Sequence, residues 1–161
     1  MKGSSKVVKE LNSALSAELT AIVQYMVQAE MADNWGYAKL GALTKQRAIQ
    51  EMHHAEHLIE RIIFLDSAPT VEVALTPKIG KNVPEHFQAD LTDELDAVKQ
   101  YNAAAALCEK EGDNGSRELF KQMIKDEEGH VDYLEAQLGM IKEMGIENYL
   151  ARQVEAGKAK G

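Results

Sequence analysis

Glu51 and His54 are three residues apart, and so are Glu127 and His130. On a helix that spacing puts a carboxylate and an imidazole on one face, a single turn apart. Register joins other groups to these pairs: Glu94 lies 76 positions after Glu18, as do Glu127 after Glu51, His130 after His54 and Tyr101 after Tyr25. The chain therefore carries two matching sets of groups, as a two-fold relation between its halves requires. Each set falls on apolar stripes of helical period, drawn through Leu11, Leu15, Glu18, Ile22, Tyr25 and Ala29, and through Glu51, His54, Leu58, Ile62 and Leu65. The second half repeats the pattern with Leu91, Glu94, Val98, Tyr101, Ala105 and Cys108, then Phe120, Met123, Glu127, His130, Leu134, Leu138 and Ile141. An unpaired carboxylate in an apolar interior is costly and tends to protonate, so four of them need a common explanation. Four carboxylates with two imidazoles are the side-chain set of a di-iron or di-manganese site in a helical bundle core. Their charge balances two divalent cations, and oxygen with imidazole suits iron or manganese better than copper(I) or a structural zinc.

Four helices must position these groups. Apolar periodicity predicts a first helix from about Ser5 to Ala32, stopped by the turn formers Asp33-Asn34-Trp35-Gly36, and a second from Tyr37 to about Asp66. Residues 67–82 hold two prolines, Gly80 and no sustained period, and read as a long connection. A third helix is expected from Val83, with Asn82 as its cap and Pro84 in its first turn, to Gly112. Gly112 to Ser116 reads as a short turn, followed by a fourth helix to about Met144 with Gly145 as its stop. Ile146 to about Arg152 fits one more short helix. Two short turns around one long connection define an all-α four-helix bundle with a crossover and a short fifth C-terminal helix. The expected unit spans residues 1–152, with 153–161 a disordered tail.

Composition narrows the function further. The 161 residues suit one core, and only three prolines occur, Pro69, Pro77 and Pro84, which leaves long stretches on both sides free to be helical. Eighteen basic against 26 acidic residues give a formal net charge of -8, which disfavours nucleic acid and anionic membranes and favours cations as ligands. Cys108 is the single cysteine, so neither an intrachain disulfide nor a four-cysteine metal site can form. No run approaches the roughly 20 apolar residues of a membrane span. A cytoplasmic location is expected.

At this point the chain resembles the bacterioferritins, iron-storage ferritins of bacteria. The residues that carry the resemblance are Met1-Lys2-Gly3, Ala17-Glu18-Leu19-Thr20-Ala21-Ile22, Trp35-Gly36-Tyr37, Asp126-Glu127-Glu128-Gly129-His130 and Glu147-Asn148-Tyr149-Leu150. The resemblance implies a ferritin-like bundle in which Glu18, Glu51, His54, Glu94, Glu127 and His130 are ferroxidase-centre ligands. Glu18 with His54 and Glu94 with His130 would each hold one of two iron ions per subunit, and Glu51 and Glu127 would bridge. Tyr25 matches a tyrosine beside the centre, an electron donor; it also reads as a core aromatic with a satisfied hydroxyl. The implied reaction is oxidation of Fe(II) by dioxygen or hydrogen peroxide, and the implied assembly a 24-subunit shell, built from dimers, that stores ferric mineral. A small redox protein would serve iron release. Met52 matches the methionine by which two subunits share a haem b, with His53 a competing ligand beside it. On its helix Met52 points about 100° away from Glu51, out of the bundle. Some family members bind iron on the inner surface through an imidazole and a carboxylate at positions 46 and 50, where this chain has Gln46 and Gln50.

Three other readings compete. His53-x-x-Glu56-His57 has the form of an inverted zinc-protease motif, but that reading leaves Glu18, Glu94, Glu127 and His130 unexplained. A di-iron peroxidase of the rubrerythrin kind would lack the cysteines of that family's electron-transfer centre. A storage subunit with weak ferroxidase activity, completed by a second subunit type, is the third.

Overall fold

A computed structural model describes residues 1–73 and 75–154. It contains α1 (Ser5–Asn34), α2 (Ala38–Phe64), α3 (Val83–Lys110), α4 (Asn114–Met144) and α5 (Ile146–Ala151), with no strand among the described residues. α1 packs along α2 and α3 along α4, while α1 faces α3 and α2 faces α4 more loosely. The architecture is the expected four-helix bundle with a short fifth helix.

Each helix boundary has a local cause. Gly36, at φ 87°, turns the chain between α1 and α2, a backbone region that costs glycine little. Asn82 caps α3 by accepting from the Glu85 N–H at 2.9 Å. The expected turn at 112–116 is shorter in the structure, because Asp113 accepts from the Ser116 N–H at 2.9 Å and so starts α4 at Asn114. α2 starts one residue later and ends two residues earlier than expected, with Asp66 in left-handed backbone at φ 59°. Gly145, at φ 80°, stops α4 where expected.

The connection between the helix pairs is fastened to α1 as it crosses. Thr70 N–H donates to Asn12 Oδ1 at 2.6 Å, Ser16 Oγ to the Glu72 carbonyl at 2.9 Å, and Lys78 N–H to Gln24 Oε1 at 2.7 Å. Lys78 Nζ then pairs with Asp93 on α3 at 2.6 Å. Below this strap the interior divides into two apolar clusters. One holds Val7, Leu11, Leu15, Leu58, Ile62, Tyr101 and Phe120; the other joins Leu40, Val83, Phe87 and Leu134 to Tyr149 of α5. A fully buried Leu or Ile side chain contributes about 1.5–3 kcal/mol, so the clusters supply the stability that a polar centre between them does not. Of the predicted stripe residues, Ile22, Leu91, Val98, Leu138 and Ile141 are only half-buried. Of the expected tail, residues 155–161 lie outside the described residues, while Gln153 is buried and accepts from the Lys39 N–H at 3.0 Å.

Candidate metal centre

The six predicted ligands converge from four helices: Glu18 from α1, Glu51 and His54 from α2, Glu94 from α3, Glu127 and His130 from α4. All are buried. They form two overlapping groups, Glu18, Glu51, His54 and Glu127, and Glu51, Glu94, Glu127 and His130, in each of which one ligand atom per residue lies within 4.8 Å of the others. Glu51 and Glu127 belong to both. Glu51 Oε2 is 3.1 Å from His54 Nδ1 and its Oε1 is 3.2 Å from His130 Nδ1. Glu127 does the same, with Oε1 3.2 Å from His54 Nδ1 and Oε2 2.7 Å from His130 Nδ1. Glu18 Oε2 approaches only His54 Nδ1, and Glu94 Oε1 only His130 Nδ1, each at 3.5 Å. Two carboxylates are therefore shared and two are one-sided.

Both tyrosines of the repeated pattern serve the one-sided carboxylates, crosswise. Tyr25 on α1 donates its hydroxyl to Glu94 on α3, and Tyr101 on α3 donates to Glu18 on α1. By contrast, both Glu51 oxygens, Glu127 Oε2 and both imidazole Nδ1 atoms are buried without a hydrogen-bond partner. Buried polar atoms are normally paired. Five such atoms facing one another are the pattern left when lone pairs are aimed at a cation, and the donor set suits iron or manganese.

The electrostatics agree. Burial, then the neighbouring Glu51 charge, pushes Glu18 well above the ordinary carboxylate range, and burial raises Glu94 to about 8. Burial acts the same way on Glu51 and Glu127, but the close approach of the His130 and His54 imidazoles outweighs it and holds both low. Burial alone would lower the imidazoles; the surrounding carboxylates reverse this, raising His54 strongly and His130 to about 11. Without metal, protons on the imidazoles and one-sided glutamates neutralise the cluster.

The sequence reading missed several neighbours of the centre. Asp126 Oδ2 lies 3.1 Å from His54 Nε2, which keeps Nδ1 turned toward the carboxylates. Its partner in the 76-residue register is Gln50, so the repeat that revealed the ligands could not reveal Asp126. Asp90 is buried beneath Gln24 Nε2 and Gln28 Nε2, at 2.9 and 2.8 Å, and burial raises it to about 7. Arg47 stands over the Tyr133 ring, 3.9 Å from Glu94 Oε1. The i,i+4 spacing of Gln24 and Gln28 was the only available signal for the Asp90 cluster.

Two openings reach the centre. A cavity of about 440 Å³ between α1 and α3 runs under the crossover residues Leu75, Thr76 and Lys78 to Glu18, Tyr25, Glu94 and Glu127. A groove of about 470 Å³ between α2 and α4 reaches His54 and His130. Met52 lies outside the cluster, 41% exposed, and Gln46 and Gln50 are exposed on α2. His53, Glu56 and His57 are exposed too, and His53 and His57 line that same groove.

A four-helix bundle with a long crossover and a carboxylate–imidazole cluster at its heart is a ferritin-like protein, and the family model of the ferritin-like domain matches residues 8–144. The chain is 42% identical over 149 residues to a bacterioferritin of Brucella melitensis biotype 1, an alignment covering 92% of each chain. It is 39% identical over 154 residues to a bacterioferritin of Mycolicibacterium paratuberculosis, covering 96% of this chain and 97% of that one. The bacterioferritin of Rhodobacter capsulatus is 40% identical over 149 residues. The chain belongs to the bacterioferritin family and is an iron-storage subunit. Among the described residues no helix is long and apolar enough to cross a membrane.

Proposed function

We propose that the chain is a ferroxidase that oxidises Fe(II) to Fe(III) and passes the product to a stored ferric mineral. The observation that supports this most is the sharing of Glu51 and Glu127 between both imidazoles. Glu18 and His54 would hold one iron, Glu94 and His130 the other, and Glu51 and Glu127 would span the two. Fe(II) is the substrate: two ions give one electron each, which with two protons reduce dioxygen to hydrogen peroxide, or hydrogen peroxide to two waters. Paired metals in such sites stand about 3.5–4 Å apart and share the charge of the oxygen species between them.

The chain's own groups prepare this. Helix burial keeps bulk water from the shared carboxylates. Tyr101 and Tyr25 each anchor a one-sided carboxylate by a hydrogen bond, and Asp126 holds His54 in the tautomer whose Nδ1 can bind metal. Tyr25 is the donor we assign beside the centre for an electron beyond the two from iron, used when the oxidant is reduced past the two-electron stage. Because one chain supplies the whole ligand set, a second subunit type is not required for activity.

We further propose a homo-oligomeric shell of 24 subunits built from dimers, each dimer sharing a haem b between its two Met52 sulfurs. Val23, Met26 and Val27 on α1 and Ile49 and Met52 on α2 are exposed apolar side chains, which fits a flat apolar group held between two copies. Met52 would hold the haem iron, and the haem would supply an electron path for release, with a small redox protein as its source. A cytoplasmic location accords with the single buried Cys108. The shell and the haem are tested together by a visible spectrum and metal analysis of the protein across a size-exclusion peak. A 24-subunit mass with half a haem per chain, lost in Met52→Leu, is expected. A dimer or monomer peak, or a haem band that survives Met52→Leu, contradicts the reading.

A further inference from the structure

His53 and His57 take no part in the carboxylate centre, yet both line the groove between α2 and α4. Four residues apart on one helix, their Cβ atoms are neighbours at about 5–6 Å, and two imidazoles at this spacing can clasp one cation. Glu56 Oε2 lies 3.0 Å from His53 Nδ1. As acceptor it keeps the hydrogen on Nδ1 and leaves Nε2 with the free lone pair that a metal needs. A carboxylate thus orients His53 much as Asp126 orients His54 one residue along, where Nδ1 is the nitrogen left free. Because Glu56 is engaged by His53, it is not free to act as the base that the inverted zinc-protease pattern assigns it. The metal-binding half of that pattern remains. Across the groove Asp126 offsets the one cation on the wall, Lys125.

From these contacts we infer that His53 and His57 bind a divalent first-row transition-metal cation on the wall of the α2–α4 groove, outside the carboxylate centre. The ligand chemistry is two imidazoles completed by water, which suits Fe(II), Co(II) or Zn(II). The groove continues inward to His54 and His130, so the site is a holding point beside the centre. That holding role rests on the ferroxidase reading; the binding itself does not.

The test is a Co(II) titration of the metal-free, assembled protein by isothermal calorimetry, comparing the parent with His53→Gln/His57→Gln and with Glu51→Gln/Glu127→Gln. Both imidazoles are exposed, so the first variant keeps the bundle, which an unchanged helical circular dichroism spectrum checks. The expected result is that His53→Gln/His57→Gln binds one Co(II) fewer per subunit than the parent. Glu51→Gln/Glu127→Gln should lose the centre's metals and keep this one. Equal stoichiometry for the parent and His53→Gln/His57→Gln overturns the inference. If Glu51→Gln/Glu127→Gln loses no metal while the histidine variant still loses one, the reading of the centre falls and this site stands.

Discussion

Tyr101 on α3 donates its hydroxyl to Glu18 on α1, and the contact recurs with the helices exchanged, as Tyr25 on α1 donates to Glu94 on α3. The bundle is thus two-fold in its hydrogen bonds as well as in its ligands. A hydrogen bond to a charged group contributes about 1.5–3 kcal/mol, or roughly ten- to hundred-fold in an equilibrium constant. Tyr101→Phe and Tyr25→Phe are each expected to weaken Co(II) binding at one of the centre's two positions by about that factor, read by calorimetry. If Tyr25 is also the electron donor, Tyr25→Phe slows Fe(II) oxidation more than Tyr101→Phe does; equal rates would remove that role.

The two-fold relation breaks at Asp126, whose register partner is the exposed Gln50. Only His54 therefore has a carboxylate behind it. Asp126→Ala is expected to lower metal affinity by about 10–100-fold at the position shared with Glu18, and to leave the position shared with Glu94 near its parent value. Two resolved steps in a Co(II) titration, with one shifted, are the readout.

Metal binding must displace protons from the ligands. With the imidazoles raised by their carboxylate neighbours, His130 to about 11, and Glu94 raised to about 8 by burial, these groups hold protons at pH 7 that bound metal excludes. Loading the centre at pH 7 is expected to release about two or more protons per subunit. Affinity should fall as pH is lowered. Calorimetry in buffers of different ionisation enthalpy counts the protons, and a count near zero contradicts the assignment.

Asp90 gives a separate pH signature. Its carboxyl is raised by burial to about 7 from an ordinary 3.8. Between those values the folded chain keeps a proton that the unfolded chain has lost, so this residue makes stability fall as pH rises through the window. Asp90→Asn keeps an acceptor for Gln24 and Gln28 and cannot ionise. Its unfolding free energy is expected to gain on the parent from about pH 4 to pH 7 and level off above, by at most about 4 kcal/mol.

The fold and the ligand set were legible because both rest on periodicity. Apolar residues at helical spacing set the four helices, and the same register exposed Glu18, Glu51, His54, Glu94, Glu127 and His130 as carboxylates and imidazoles where apolar residues belong. Turn lengths were less legible, since the start of α4 depends on the cap that Asp113 makes and not on composition. Asp126, Asp90 and Arg47 stayed hidden for another reason. Each matters through a partner on a different helix, His54, Gln28 or Tyr133, and no pattern along one helix records that.

The central claim is that Glu18, Glu51, His54, Glu94, Glu127 and His130 form one oxidation centre for two Fe(II) ions. Stopped-flow mixing of the metal-free protein with aerobic Fe(II) tests it directly, following ferric absorbance for the parent, Glu18→Ala and Glu94→Ala. A fast phase that saturates at two Fe(II) per subunit in the parent and is lost in both variants is the expected result. Parent-like fast phases in Glu18→Ala and Glu94→Ala would contradict the account.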